Sequence, residues 1–360
     1  MKSNVRKILL IIQRSNGDVF LSNGLIQKLY ISYDCPEIDL LVNEDTLSVA
    51  KLIPNIKNII TFSYEKKRIG RFDQETKIIK TIYKKYDLSI CLTASDRSVI
   101  YALLSSKYSI SAIEDDVKKS WWKRLLLNKS YIFDNSRHIL INNFQPLRIL
   151  GIKFSKSLPE ININLEKIYL IKRRLEILGI DKFLIFHPSA QYDYKVYPES
   201  SRVSLLEQLS SLDVSIVVTG GTSLLDQAIK DSIPKLNNIH NFVGETTLEE
   251  YLALSSLSLG YVGMDTLNMH IASSQNKRIF AIFGPTNTKM WSPWSNLSNK
   301  SSRSDQLTQT YDNVTIFQAN MNCVPCGKAG CNDAHGISEC LYQIDPNLIY
   351  QEVKKYLSSI

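Results

Sequence analysis

Leu257-Ser-Leu-Gly-Tyr-Val262 is a largely apolar run of strand length, and Gly263-Met264-Asp265-Thr266-Leu267-Asn268-Met269-His270 leads from it into a helical pattern through Ile271 and Ala272. Ile279 to Phe283 is apolar again and stops at Gly284-Pro285-Thr286. Strand, turn, helix, strand and turn in that order make one unit of a parallel sheet, whose strands, buried on both faces, read as near-continuous apolar runs. Upstream, Phe183 to Phe186, Val214 to Thr219 and Ile239 to Val243 are three more such runs. The N-terminal half has the same rhythm. Val5 to Gln13 is apolar, Gly17-Asp18 opens a helical pattern through Val19, Leu21, Leu25, Ile26 and Leu29, and strands are predicted at Ile38–Val42, Ile56–Phe62, Leu88–Leu92 and Tyr108–Ile113.

Two alternating series predict an α/β chain of two doubly wound parallel-sheet, Rossmann-like domains. The first covers 1–155 and the second 182–345, joined by a linker at 156–181 that holds Pro159 and a basic helical segment from Lys172 to Leu178. Residues 134–150 read as helical, 294–311 as a polar, mobile surface loop, and 346–360 as a closing helix with Asp345 as N-cap and Pro346 in its first turn. Facing domains of this kind bind ligands in a central cleft at the C-terminal ends of their strands.

With 360 residues, 44% of them hydrophobic, the chain can bury a core in each domain. Its apolar runs, such as Ile8–Ile12 and Leu125–Leu127, fall far short of the roughly 20 residues a membrane-spanning helix needs. Lys2, Arg6 and Lys7 precede an apolar run that Gln13 and Arg14 end, so a buried strand is expected there rather than an export signal. The net charge of +8 is unevenly spread. Residues 1–150 hold 24 Lys+Arg against 15 Asp+Glu, and the remainder 19 against 20. A basic first half suits an anionic partner.

At the start of the helix after Val262, free backbone N–H groups and the positive dipole end favour a diphosphate. Thr266 and Asn268 add donors there, and Asp265 can accept from sugar hydroxyls. The loop from His187 through Ser189 and Ala190 to Lys195-Val196-Tyr197-Pro198 leaves a strand of the same sheet, and its lysine can meet a departing phosphate as a point charge. Plain capping by Asp265 and a core role for His270 are the bland alternatives.

Four of these segments together resemble glycosyltransferase family 9, which includes the lipopolysaccharide heptosyltransferases. The matching elements are Gly17-Asp18, Lys195-Val196-Tyr197-Pro198, Asp265 to His270, and Phe283 to Thr286. Tyr86-Asp87-Leu88 and Gly244 to Leu248 extend the match over nearly the whole chain. Leu267 stands where the family has glycine, and Tyr197 replaces its tryptophan while keeping an aromatic wall. The resemblance implies a GT-B architecture and inverting transfer from a nucleotide sugar, ADP-heptose by family precedent, to a lipopolysaccharide-core acceptor. It implies Asp18 as general base, Lys195 on the leaving group, Gly17 on the acceptor, and no catalytic cofactor or metal. The donor-binding set it implies is Ser189, Gly220, Asp265, Thr266, Leu267, Asn268, His270, Gly284, Pro285 and Thr286. Its setting is cytoplasmic, at the inner face of the membrane that holds an anionic glycolipid acceptor.

Cys323, Cys326, Cys331 and Cys340 crowd into eighteen residues, and four thiolates make a closed shell for structural zinc or iron. Some family members with similar cysteine elements heptosylate autotransporter proteins and hold iron, so a protein acceptor stays open. Cys35 and Cys91 read as small buried hydrophobes. Lys118 to Leu127 reads either as a basic, tryptophan-bearing membrane-surface helix or as a helix that packs its Trp and Leu inward. A sugar-nucleotide epimerase would share the fold. A nucleic-acid-binding zinc protein is disfavoured, because the excess charge lies away from the cysteines.

Overall fold

Ile8 to Ile12 are all buried, and they make β1 (Lys7–Ile12) a central strand of the first sheet. Around it, in chain order, come α1 (Asn16–Phe20), α2 (Asn23–Ser32), β2 (Glu37–Asn43), α3 (Leu47–Ala50), β3 (Asn58–Phe62), α4 (Tyr64–Ile69), α5 (Arg71–Ile82), β4 (Tyr86–Cys91), α6 (Asp96–Ser105), β5 (Ser106–Ile113), α7 (Val117–Leu126), β6 (Lys129–Ile132), α8 (Ile139–Asn143) and α9 (Gln145–Ile149). The computed structural model describes residues 5–69, 71–303 and 308–360, so Lys2 lies outside the described residues. The six strands run parallel in the order β3-β2-β1-β4-β5-β6. Strand order therefore reverses between β1 and β4, where open α/β sheets leave a crevice at the strands' C-terminal ends.

The chain divides between Ile161 and Asn162, and the second unit opens with α10 (Leu165–Ile177). Then follow β7 (Phe183–His187), α11 (Glu199–Leu209), β8 (Ser215–Val218), α12 (Leu224–Asp231), β9 (Ile239–Asn241), α13 (Leu248–Leu257), β10 (Gly260–Met264), α14 (Leu267–Ser274), β11 (Arg278–Phe283), α15 (Thr288–Trp291), β12 (Thr308–Tyr311), β13 (Val314–Gln318), α16 (Glu339–Tyr342) and α17 (Pro346–Leu357). The sheet order is β12-β13-β11-β10-β7-β8-β9, with only β12 antiparallel to its neighbour. Here the reversal falls between β7 and β10. Local signals fix the helix starts: Ser223 with Asp226 and Thr247 with Glu250 form reciprocal capping pairs, and Asp345 caps α17 ahead of Pro346.

Several expectations need correction. The stretch 294–311 is not a mobile surface loop in its described part. Trp294 is buried and its carbonyl accepts from Ser273 Oγ at 2.6 Å, Ser295 bridges Lys300, and β12 occupies 308–311. Residues 304–307 of that stretch lie outside the described residues. The helix expected at 134–150 is two short ones, α8 and α9, with Pro146 in the first turn of the second. Cys91 is buried, but Cys35 is exposed in a left-handed turn, at φ 60°. The segment Lys118–Leu127 divides its apolar residues, with Trp122 and Leu127 packed on Val99 and Ile113 as the inward reading expects. Trp121, Leu125 and Leu126 are exposed, while Lys123 is fully buried, with its ammonium 2.7 Å from Asp96 Oδ1, 2.8 Å from Glu114 Oε2 and 2.6 Å from Ala94 O. Three donors meeting three acceptors make that burial tolerable.

Candidate functional site

In the second unit β7, β10 and β11 are neighbours, with Gly263 aligned to His187 on one side and to Ala281 on the other. The segments leaving their C-terminal ends are the loop 188–197, the turn Asp265-Thr266 and the turn Gly284-Pro285-Thr286. Sequence distance of almost a hundred residues is thus closed by strand pairing alone. Gly263 is the glycine this junction requires, because a Cβ there would lie 2.4 Å from His187 O. Leu267, in the place of the family's glycine, is the first residue of α14 and sits half-buried in ordinary helical geometry.

Lys195 Nζ lies 3.2 Å from Asp265 Oδ2, joining two residues predicted for the site. The Asp265 carboxylate raises the Lys195 ammonium above its ordinary value, against the opposite pull of burial. The ion pair keeps a cation at the mouth of β7 and β10. Asn268 Nδ2 stands 3.1 Å from His187 Nδ1 and 3.2 Å from Nε2, and Thr219 Oγ1 is 2.9 Å from Nδ1. His270 is buried next to Asp265 and Lys195, and its Nδ1 has no partner. Thr266 is the N-cap of α14 but makes no side-chain capping bond.

Other predicted residues stand elsewhere in the packing. Ser189 Oγ is buried and donates to Asp226, so its hydroxyl is committed. Gly220 lies beside the same carboxylate, with Asp226 Oδ1 3.0 Å from where its Cβ would be. Tyr197 is no aromatic wall. It is fully buried in the core, and its hydroxyl donates to Ile344 O. The sequence reading missed Asp226, which also accepts from Gly221 N at 2.8 Å and Ser223 N at 2.9 Å. Burial pushes its carboxyl up, but these bonds outweigh that and hold it below the usual carboxylate range. The capping pattern Ser223-x-x-Asp226 was the available signal; its bond to Ser189 was not readable.

In the first unit, Gly17 and Asp18 occupy α1 directly after the reversal point of the sheet. Asp18 is buried, and its Oδ2 accepts from Ser15 N at 3.2 Å and Ser15 Oγ at 2.7 Å. Its Oδ1 is 2.8 Å from Arg14 Nε, an ion pair too poorly aligned to count as a hydrogen bond, and is left without a hydrogen-bond donor. Both carboxylate oxygens therefore lie against the chain's own residues, Oδ2 against Ser15 and the buried Oδ1 against Arg14.

Cys323, Cys326 and Cys331 share one loop, Cys340 follows on α16, and Glu339 N donates to Cys331 Sγ at 3.3 Å. Burial pushes the Cys340 thiol up to about 11, and the other three thiols act in the same direction. Among the described residues, no three His, Cys, Asp or Glu side chains form a group that could hold a metal ion. The cysteine loop, a separate segment of the chain, touches the donor-side loops. Gly327 N donates to Pro285 O at 2.9 Å, and the His335 ring lies 5.6 Å from those of both Tyr192 and Tyr194.

Burial lowers both His187 and His270 to about 4, whereas an unfolded-chain imidazole titrates near 6.5. Because the folded value is depressed, the unfolded chain binds the extra protons between those limits, and stability falls as pH drops from 6.5 to 4. Each histidine removes up to about 3 kcal/mol over that window. Urea titrations should show the midpoint falling across it, and less steeply in His187→Gln. An acid-insensitive midpoint would mean that both rings carry their protons in the folded state.

A family model described as glycosyltransferase family 9 (heptosyltransferase) matches residues 76–321. Lipopolysaccharide heptosyltransferase 3 of Escherichia coli (strain K12) is 26% identical over 292 residues, covering 78% of this chain and 83% of that protein. Lipooligosaccharide heptosyltransferase 2 of Campylobacter jejuni is 21% identical over 360 residues, covering 98% of this chain and 99% of that protein. Among solved structures, the ADP-heptose lipopolysaccharide heptosyltransferase II of E. coli matches with a TM-score of 0.72 at 16% identity, over 98% of this chain and 99% of its own, a likeness of fold.

Proposed function

This chain belongs to glycosyltransferase family 9, the heptosyltransferase family, and on that basis we propose that it transfers heptose from ADP-heptose to a lipopolysaccharide-core acceptor with inversion at the anomeric carbon. It is a glycosyltransferase of GT-B architecture. The names of its relatives support a heptosyl group and a lipopolysaccharide or lipooligosaccharide acceptor. The name of the E. coli heptosyltransferase II structure supports ADP-heptose, and family membership favours transfer over the epimerase reading. The observation that carries the reading is the Lys195–Asp265 pair at the start of α14, beside the turn after β11. There a cation and a helix start meet the charge that builds on a leaving diphosphate, and Asp265 accepts from the sugar.

In the first unit, Asp18 is proposed to take the proton of the acceptor hydroxyl, with Gly17 on the acceptor. Ser189 and Gly220, through Asp226, are proposed to shape the donor loops, while Leu267, Asn268 and His270 line the donor. The basic surplus of residues 1–150 supports an anionic glycolipid acceptor and peripheral contact at the cytoplasmic face of the membrane. Among the described residues, no helix is long and apolar enough to cross a membrane. The test is incubation with ADP-, UDP- and GDP-sugars and a lipopolysaccharide-core acceptor, scored for transfer and isomerisation. Isomerisation without transfer, or transfer only from another sugar, overturns the reading.

For the cysteines we propose a structural zinc or iron on Cys323, Cys326, Cys331 and Cys340. The C-x-x-C spacing, the placement of three cysteines in one loop with the fourth on α16 directly after it, and the N–H bond to Cys331 Sγ support it. The described geometry stops short of a closed shell, and closure of such shells is coupled to ion binding. Purified protein should carry about one equivalent of zinc or iron by elemental analysis. Each Cys→Ser change should then lower metal content and melting temperature together. Metal-free protein with free thiols and full stability overturns the assignment, and rapid loss of turnover on chelation with the fold intact would make the ion catalytic.

A further inference from the structure

All three carbonyl oxygens of Gly284-Pro285-Thr286 are held by one later segment of the chain. Gln318 Nε2 donates to Gly284 O and to Thr286 O, each at 2.9 Å, and Gly327 N donates to Pro285 O at 2.9 Å. Gln318 ends β13 in register with Phe283 of β11, which puts its amide next to the turn. Both N–H groups of that amide are used, so the contact is specific to a primary amide. From the other side, Leu341 closes on Gly284, with a side-chain carbon 3.1 Å from where a Cβ would stand.

The consequence follows from peptide geometry. Among the described residues the only cis peptide is Val324-Pro325, so the bonds after Pro285 and Thr286 are trans and planar, with N–H opposite C=O. Holding the Pro285 oxygen toward Gly327 directs the N–H of Thr286 to the opposite side. An anion meeting this turn from that side meets that donor.

Gln318 has no evident value to packing alone. It is buried against the core of the second unit, and its Oε1 has no hydrogen-bond partner. A buried acceptor without a donor carries a desolvation penalty that an apolar side chain of the same length would avoid. The compensation lies at the turn.

The same segment reaches the second donor-side loop. The rings of Tyr192 and Tyr194 stack at 5.4 Å and 14°, and His335 packs on both. Tyr192 O accepts from Lys195 N at 2.9 Å, so this ring cluster backs the lysine. We propose that residues 318–335 are the backing of the diphosphate site, with Gln318 the positioning residue for the turn after β11 and His335 that for the Lys195 loop. This rests on the nucleotide-sugar reading given above.

The test uses the full chain and ADP, UDP and GDP as probes, measured by calorimetry, together with donor KM and kcat. Gln318→Met keeps length, removes both donors and relieves the orphaned oxygen. The expected result is roughly a ten-fold or greater loss of affinity for the diphosphate the wild type prefers, in line with loss of well-aligned hydrogen bonds to a charged group. KM should rise by a similar factor, with any fall in kcat no larger. The melting temperature should drop somewhat, because Gly284 O and Thr286 O lose their donors, so the affinity of the folded variant is the deciding readout: a purely structural role would lower the melting temperature and leave affinity intact. His335→Ala, at an exposed side chain, should weaken the same affinity several-fold, and it decides the matter should Gln318→Met fail to fold. Wild-type affinity in the folded variants overturns this proposal alone. A wild-type protein that binds none of the three diphosphates overturns the nucleotide-sugar reading and this inference with it.

Discussion

Replacing Asp18 by Asn is expected to lower turnover by about two to four orders of magnitude, the usual worth of general-base catalysis. Asn keeps the size of the side chain and one oxygen for Ser15, but it cannot accept a proton at neutral pH. An ionised carboxylate has about four acceptor positions. Two are taken on Oδ2 by Ser15 N and Oγ, while Oδ1 has only the oblique ion pair to Arg14. Oδ1 is buried beside Arg14, so the Arg14 side chain must turn aside for the hydroxyl to be deprotonated to reach it. Loss of the ion pair also costs stability, of order 1 kcal/mol for a partly exposed partner, so the melting temperature should be measured in parallel. A folded variant that binds the nucleotide diphosphate normally and turns over slowly is the expected outcome. Near-normal turnover would remove Asp18 from the chemistry and leave it as the third-position cap of α1.

Legibility from sequence followed burial. Ile8–Ile12 and Ile279–Phe283 were readable because strands covered on both faces are apolar throughout. The edge strands β6, Lys-Ser-Tyr-Ile, and β12, Thr-Gln-Thr-Tyr, carry no such run, since an edge needs only partial cover. β13 was different: Val314-Thr-Ile-Phe317 is a strand-forming run that a reading ending the sheet at Phe283 passed over. Within the site, Lys195, Asp265 and Asn268 were identifiable as types in a motif, but their partners were not. Lys195 meets Asp265 across 70 residues, Ser189 meets Asp226 across 37, and Gln318 meets Gly284 across 34. Such pairs are set by strand order, which no local pattern records. The sense of α7 shows the same limit. A lysine among tryptophans and leucines reads as the solvent side until Glu114 and Asp96 are seen to receive it.

Lys195→Ala should weaken nucleotide diphosphate binding by roughly ten-fold or more and lower kcat by about 10² to 10³, the scale seen when one donor to developing negative charge is removed. The two effects have different origins. In the ground state the lysine meets a diphosphate ester, whereas in the transition state it meets the charge that bond breaking adds, so kcat falls as well as affinity. The ion pair complicates the single variant, because it leaves the largely buried Asp265 carboxylate bare where the phosphates are to sit. Repulsion from that carboxylate would by itself lower affinity. Adding Asp265→Asn removes the charge and keeps the shape. If Lys195 serves only to neutralise Asp265, the double variant should recover both affinity and kcat. If Lys195 meets the leaving phosphate, affinity should recover in part while kcat stays low, because nothing in the double variant replaces the cation. Unchanged diphosphate affinity in Lys195→Ala would place the lysine outside the site and leave the start of α14 and the turn after β11 to bind the phosphates alone.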